Sequence, residues 1–149
     1  MKKDCWIALL VFAADRATKL LWSGIPPEGV VLIPGILGLY PARNTGMAFS
    51  LFSGHPWLLG MLSAAILTGA FLFLRKKPLR RLTSVGLMMM GGGAAGNMAD
   101  RFLTGYVPDL FEFLFVRFAV FNVADACLVT GCGLVILSLL REGADAPKR

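Results

Sequence analysis

Two apolar runs, Trp57 to Leu74 and Leu82 to Ala99, each span 18 residues without a charge, and a third, Ala119 to Leu140, carries only Asp125. Roughly 20 apolar residues are what a helix needs to cross the hydrocarbon of a bilayer. A chain of 149 residues built around such runs has no length left for a separate soluble domain. A fourth stretch, Cys5 to Trp22, includes Asp15, Arg16 and Lys19 but keeps a helical pattern and reaches about 27 Å at 1.5 Å per residue. Val11-Phe12-Ala13 resembles a signal-peptide cleavage site, yet the pattern continues past it, so the run reads as a span. With 56% hydrophobic residues and a mean hydropathy of +0.69, the composition exceeds what a soluble surface carries. The expected fold is a single membrane domain over residues 1–149, all-α with a small β element. Its helices are about 5–22, 57–74, 82–99 and 119–140, and its outer segments 23–56 and 101–118.

The net charge of +6 does not point to nucleic acid, because the basic residues flank the apolar runs. With both termini and the loop Arg75 to Arg81 in the cytoplasm, ten of the fifteen Lys and Arg residues lie inside, as the positive-inside rule requires. In the first outer segment, Val30 to Ile33, Gly35 to Tyr40 and Met47 to Phe52 read as short strands broken by Pro34, Pro41 and Gly46, forming a small sheet on the outer membrane surface. Val107 to Phe115 reads as a segment lying in the interface. Cys5, Cys127 and Cys132 lie in apolar runs and give neither a disulfide framework nor a zinc site. No metal or other cofactor is expected.

Asp100 lies about 27 Å along its helix from Leu82, and Asp125 about 24 Å from Arg141, so the two acids share one depth near the outer edge of the hydrocarbon. An acid there is costly and needs a partner or a function. Two carboxyls in one site hold a single proton between them, which suits peptide-bond hydrolysis: one takes a proton from water, the other polarises the carbonyl. The plainer reading pairs Asp100 with Arg101 or Arg16 and satisfies Asp125 with Asn97 or Asn122. The repeated N-x-x-D spacing, Asn97 to Asp100 and Asn122 to Asp125, favours a polar site between two helices. Gly92 and Gly96 supply the small surface for close helix approach. Asp4, Asp109 and Glu112 read as acids outside this site.

The blocks Asp15 to Lys19, Asn44 to Ser50, Gly92 to Arg101 and Phe121 to Asp125, in that order at the outer ends of four spans, resemble the motifs of bacterial lipoprotein signal peptidases, or signal peptidase II. The resemblance covers nearly the whole chain. It implies a membrane-embedded aspartic endopeptidase that cuts diacylglyceryl-modified prolipoproteins just before the lipid-bearing cysteine. Asp100 and Asp125 would then be the catalytic pair, oriented by Asn97 and Asn122. Arg101, Asn44 and Gly46 would contact the substrate or hold the outer segment, and Asp15 and Lys19 would support the site from the first helix. The expected setting is the bacterial cytoplasmic membrane, with the site near its outer face, membrane lipid as neighbour and a monomeric enzyme. A small proton-coupled transporter using the paired acids as a relay is the competing class. It leaves the long segment Ser23 to Pro56 without a role.

Overall fold

The computed structural model describes residues 2–46 and 52–145. Four helices form its body: α1 (Cys5–Leu20), α2 (Pro56–Leu74), α3 (Arg81–Leu103) and α4 (Val123–Asp145). Three strands, β1 (Val30–Ile33), β2 (Leu37–Asn44) and β3 (Val107–Phe113), form one antiparallel sheet in the order β1-β2-β3. Helix α3 is central and packs against the other three. Its glycines explain the close approach. A Cβ at Gly92 would collide with the Ala8 carbonyl on α1, and one at Gly93 would lie 2.5 Å from the Ala124 carbonyl on α4.

The distribution of polarity is the reverse of a soluble protein's. Asp15, Lys19, Asn97, Asp100, Asp109 and Asn122 are all buried, while Trp57, Leu62, Phe73, Val129 and Leu140 are exposed. Helices α2 and α4 are long and apolar enough to cross a membrane by themselves. Their outer surfaces find no protein cover, as expected of helices that face lipid.

The outer elements differ from the sequence expectation in four places. Helix α3 continues to Leu103, so Arg101 sits on the helix and not in a loop. Helix α4 begins only at Val123, and Phe121 is extended, bridging to Phe111. Strand β2 runs through Pro41 because the ladder shifts register between Leu39 and Ala42, and proline is tolerated at such a bulge. The third strand is Val107–Phe113, paired with β2, where a free interfacial segment was expected. The proposed strand Met47 to Phe52 lies, except for Phe52, outside the described residues. Pro34-Gly35 closes the β1–β2 hairpin: Ile36 N donates to Ile33 O at 3.0 Å and Gly35 takes φ +70°, the proline-glycine requirement of a type II turn.

Two attachments fix the sheet over the helix ends. The Arg43 guanidinium lies 5.4 Å from the Trp22 ring centroid and 5.0 Å from that of Tyr106, linking β2 to the end of α1 and the α3–β3 turn. At the other side, Leu110 N and Phe111 N both donate to Phe121 O, and Phe121 N donates back to Phe111 O. That seam joins β3 to the residues leading into α4.

Candidate active site

Asn122 and Asp125 form a reciprocal helix cap. Asp125 N donates to Asn122 Oδ1 at 2.9 Å, and Asn122 N donates to Asp125 Oδ2 at 3.3 Å. This is the capping-box arrangement, with an Asn as the cap and an Asp three residues on. The sequence reading placed both on one helical face; Asn122 instead precedes the helix. The first N-x-x-D, Asn97 to Asp100, does lie within α3. One spacing therefore has two structural meanings.

Asp15, Lys19, Arg16 and Asp100 form a buried ion cluster between α1 and α3. Lys19 Nζ donates to Asp15 Oδ2 at 2.8 Å, to Asp100 Oδ2 at 2.7 Å and to Asn97 Oδ1 at 2.9 Å. Arg16 Nη1 lies 2.6 Å from Asp100 Oδ1, and its Nη2 donates to Asp15 Oδ2 at 3.0 Å. The remaining Asp15 oxygen, Oδ1, accepts from Ala124 N at 3.1 Å, which ties the cluster to α4. Gly96 makes room for it, since a Cβ there would lie 2.5 Å from Asp15 Oδ2. Each oxygen of Asp100 thus pairs with a cationic group. Asp100 is a counter-ion here, the Arg16 pairing that the plainer reading allowed.

A further buried carboxylate, expected to lie outside the site, joins the network next to Asp125 through Asn122. Asp109 on β3 is 2% exposed. Asn122 Nδ2 donates to its Oδ1 at 2.6 Å and Asn44 Nδ2 to its Oδ2 at 3.0 Å, and among the described residues no cation pairs with it directly. Asn122 thus bonds to both Asp109 and Asp125. Asp125 Oδ1 accepts from Asn97 Nδ2 at 2.8 Å, and Asn97 Oδ1 accepts from Asn122 Nδ2 at 3.2 Å. The signal available in the sequence is a lone acid in an apolar strand, beside the buried Val107 and Leu110. Asp4 lies apart from this network, where it accepts from Ser84 Oγ at 2.6 Å.

The rest of the expected set joins the same network. Gly46 N donates to Asn44 Oδ1 at 3.0 Å, and Arg101 Nη2 donates to Gly46 O at 2.8 Å, so Arg101 fastens the segment after β2. Arg101 does not pair with Asp100. Its buried Nε has no partner among the described residues. All nine residues singled out in the sequence, with Arg16 and Asp109 added, belong to one connected polar centre. Among the described residues no three His, Cys, Asp or Glu side chains converge on a metal position.

Asp109 is pushed up to about 6, first by burial and then by the charge of Asp125, against the lowering effect of the Asn44 and Asn122 amides. A carboxyl whose folded value lies above its ordinary 3.8 stabilises the fold while protonated. That contribution is complete below 3.8 and is lost as the pH rises through about 6. Asp109→Asn is therefore expected to gain stability relative to the parent across this interval, by at most about 3 kcal/mol. The check is the difference between the two thermal midpoints followed across that range. A constant difference would show that Asp109 does not titrate there.

A family profile described as Signal peptidase (SPase) II matches residues 7–141. A lipoprotein signal peptidase of Thermosynechococcus vestitus is 40% identical over 136 residues, covering 85% of this chain and 84% of its own. One from Trichormus variabilis is 36% identical over 148 residues, covering 97% and 94%. Among solved structures, a bacterial membrane enzyme superposes with a TM-score of 0.90 at 27% identity, covering 100% of this chain and 94% of its own.

Proposed function

Because the chain belongs to the signal peptidase II family and is a membrane protease of the lipoprotein signal peptidase kind, we propose that Asp109 and Asp125 are its catalytic pair. The observation that carries this reading is the contrast between the buried acids. Asp100 has both oxygens on cations, whereas Asp109 is held by amides alone and shares Asn122 with Asp125. The first member of the pair thus moves from Asp100 to Asp109. Asp100 becomes the positioning group that holds Lys19 and, through it, Asn97.

In the proposed reaction one carboxyl enters ionised and takes a proton from the attacking water. The other enters protonated and donates to the scissile carbonyl oxygen as the tetrahedral intermediate forms. Proton return to the departing amine then breaks the C–N bond. Asn122, bonded to both acids, holds them in register, while Asn97 orients Asp125 and Asn44 orients Asp109.

We further propose four spans in the bacterial cytoplasmic membrane, both termini inside, with the pair near the outer face. The charge asymmetry supports it: Arg75, Lys76, Lys77, Arg80 and Arg81 lie at the opposite end of α3 from the site. A reporter fused after Lys77 should register as cytoplasmic and one inserted at Gly54 as external. The reverse pattern would separate the site from exported substrates.

The proposed substrate is a diacylglyceryl-modified prolipoprotein, cut before its lipid-bearing cysteine by a monomeric enzyme. Chains left in the bilayer would hold the scissile bond at the depth of the pair, so anchoring contributes positioning. Purified protein should cleave a lipidated prolipoprotein at least about a hundredfold faster than the same chain without lipid, a small part of what positioning can supply. Equal rates would leave the membrane-edge site without a reason. Proton-coupled transport has no support among the relatives, which carry a peptidase name.

A further inference from the structure

At the end of the bundle away from the acids, an open cavity of about 530 Å³ lies between the beginning of α1 and the first turn of α3. We propose that it binds the phosphate headgroup of an anionic phospholipid. Its lining joins two cations, Lys3 and Arg81, to an apolar wall that includes Trp6 and Val85. Trp6 is 61% exposed, the posture of an aromatic side chain at a membrane interface. The one acid in the lining, Asp4, accepts a hydrogen bond from the buried Ser84 hydroxyl at 2.6 Å. Neither Lys3 nor Arg81 makes an ion pair among the described residues. Helix α3 starts at Arg81 with no side-chain cap, so its positive end adds to the same field.

A free phosphate would use the cations and leave the apolar wall idle. A phospholipid uses both, with its phosphate between Lys3 and Arg81 and its glycerol and first methylenes against Trp6 and Val85. Basic pockets between membrane helices are a known setting for such headgroups. The cavity lies about 28 Å along α3 from Asp100, so this site is separate from the peptidase centre.

The test is binding of dioleoylphosphatidylglycerol and dioleoylphosphatidylcholine to the full chain in detergent, read by native mass spectrometry. The anionic lipid should bind more tightly. Lys3→Gln with Arg81→Gln should weaken it about fivefold per cation and about thirtyfold together, with a smaller loss for the zwitterionic lipid, whose choline cation already offsets the attraction of its phosphate. Val85→Phe, which fills the wall without touching a charge, should weaken both lipids. Arg75→Gln with Lys76→Gln, outside the cavity, should change little. An equal loss in that control pair would reduce the effect to general basic attraction and overturn the site. So would unchanged binding in the cavity variants, or displacement of the lipid by inorganic phosphate at equal concentration.

Discussion

Asp109→Asn and Asp125→Asn should each lower cleavage of a lipidated prolipoprotein by about 10²- to 10⁴-fold, the loss expected when an acid-base group is removed. The amide keeps the shape of the carboxyl but cannot exchange the proton. Asp100→Asn should behave differently. It leaves Lys19 and Arg16 with one fewer counter-ion in a buried cluster, so its main effect falls on stability. Cleavage per folded molecule should stay at least about tenfold above that of Asp109→Asn, since Asp100 is proposed to position groups and not to exchange protons. The measurement is a gel-shift rate normalised to folded protein. If Asp109→Asn keeps more than about a tenth of the parent rate while Asp100→Asn is inactive though folded, the pair is Asp100 with Asp125.

Lys19→Met should be the most destabilising single change. It strips Asp15, which is fully buried, of one of its two cations and removes the donor shared by Asp100 and Asn97. Breaking a buried ion pair by removing one partner costs about 3–5 kcal/mol, because the other charge stays desolvated. Arg16 still reaches both acids, which places the expected loss near the lower end of that range. Thermal unfolding in detergent measures it. Adding Asp15→Asn should restore part of the loss, since the second change removes the stranded charge. Strictly additive losses would mean that the two side chains do not act as a pair.

The apolar runs, the cluster of basic residues between α2 and α3, and the polar residues at the helix ends are local properties. A reader of the sequence finds them because period, length and charge are written along the chain. Asn97, Asn122 and Asp125 were legible in this way, as residues whose burial in an apolar stretch demands a partner. The helix bounds drifted where a cap decided them. Asn122 starts α4 by exchanging hydrogen bonds with Asp125, and the three apolar residues before it, Ala119 to Phe121, read as equally helical in the sequence.

What the sequence determined by itself was a membrane-embedded helical chain with acids at one depth, because hydrophobic length and the cost of a lone charge in lipid are set by composition along one element. Which acid meets which was decided only in three dimensions. Asp109 comes beside Asn122 because β3 is stitched to Phe121 by three backbone hydrogen bonds, and beside Asn44 because, past the bulge, Ala42 pairs with Asp109 and Asn44 with Val107, which sets Asn44 diagonally opposite Asp109. Asp100 becomes a counter-ion because Gly92 and Gly96 let α1 approach α3 closely enough for Lys19 and Arg16 to reach it. Charge pairing depends on separations of a few ångströms between elements far apart in the chain, and spacing within one element carries no record of them.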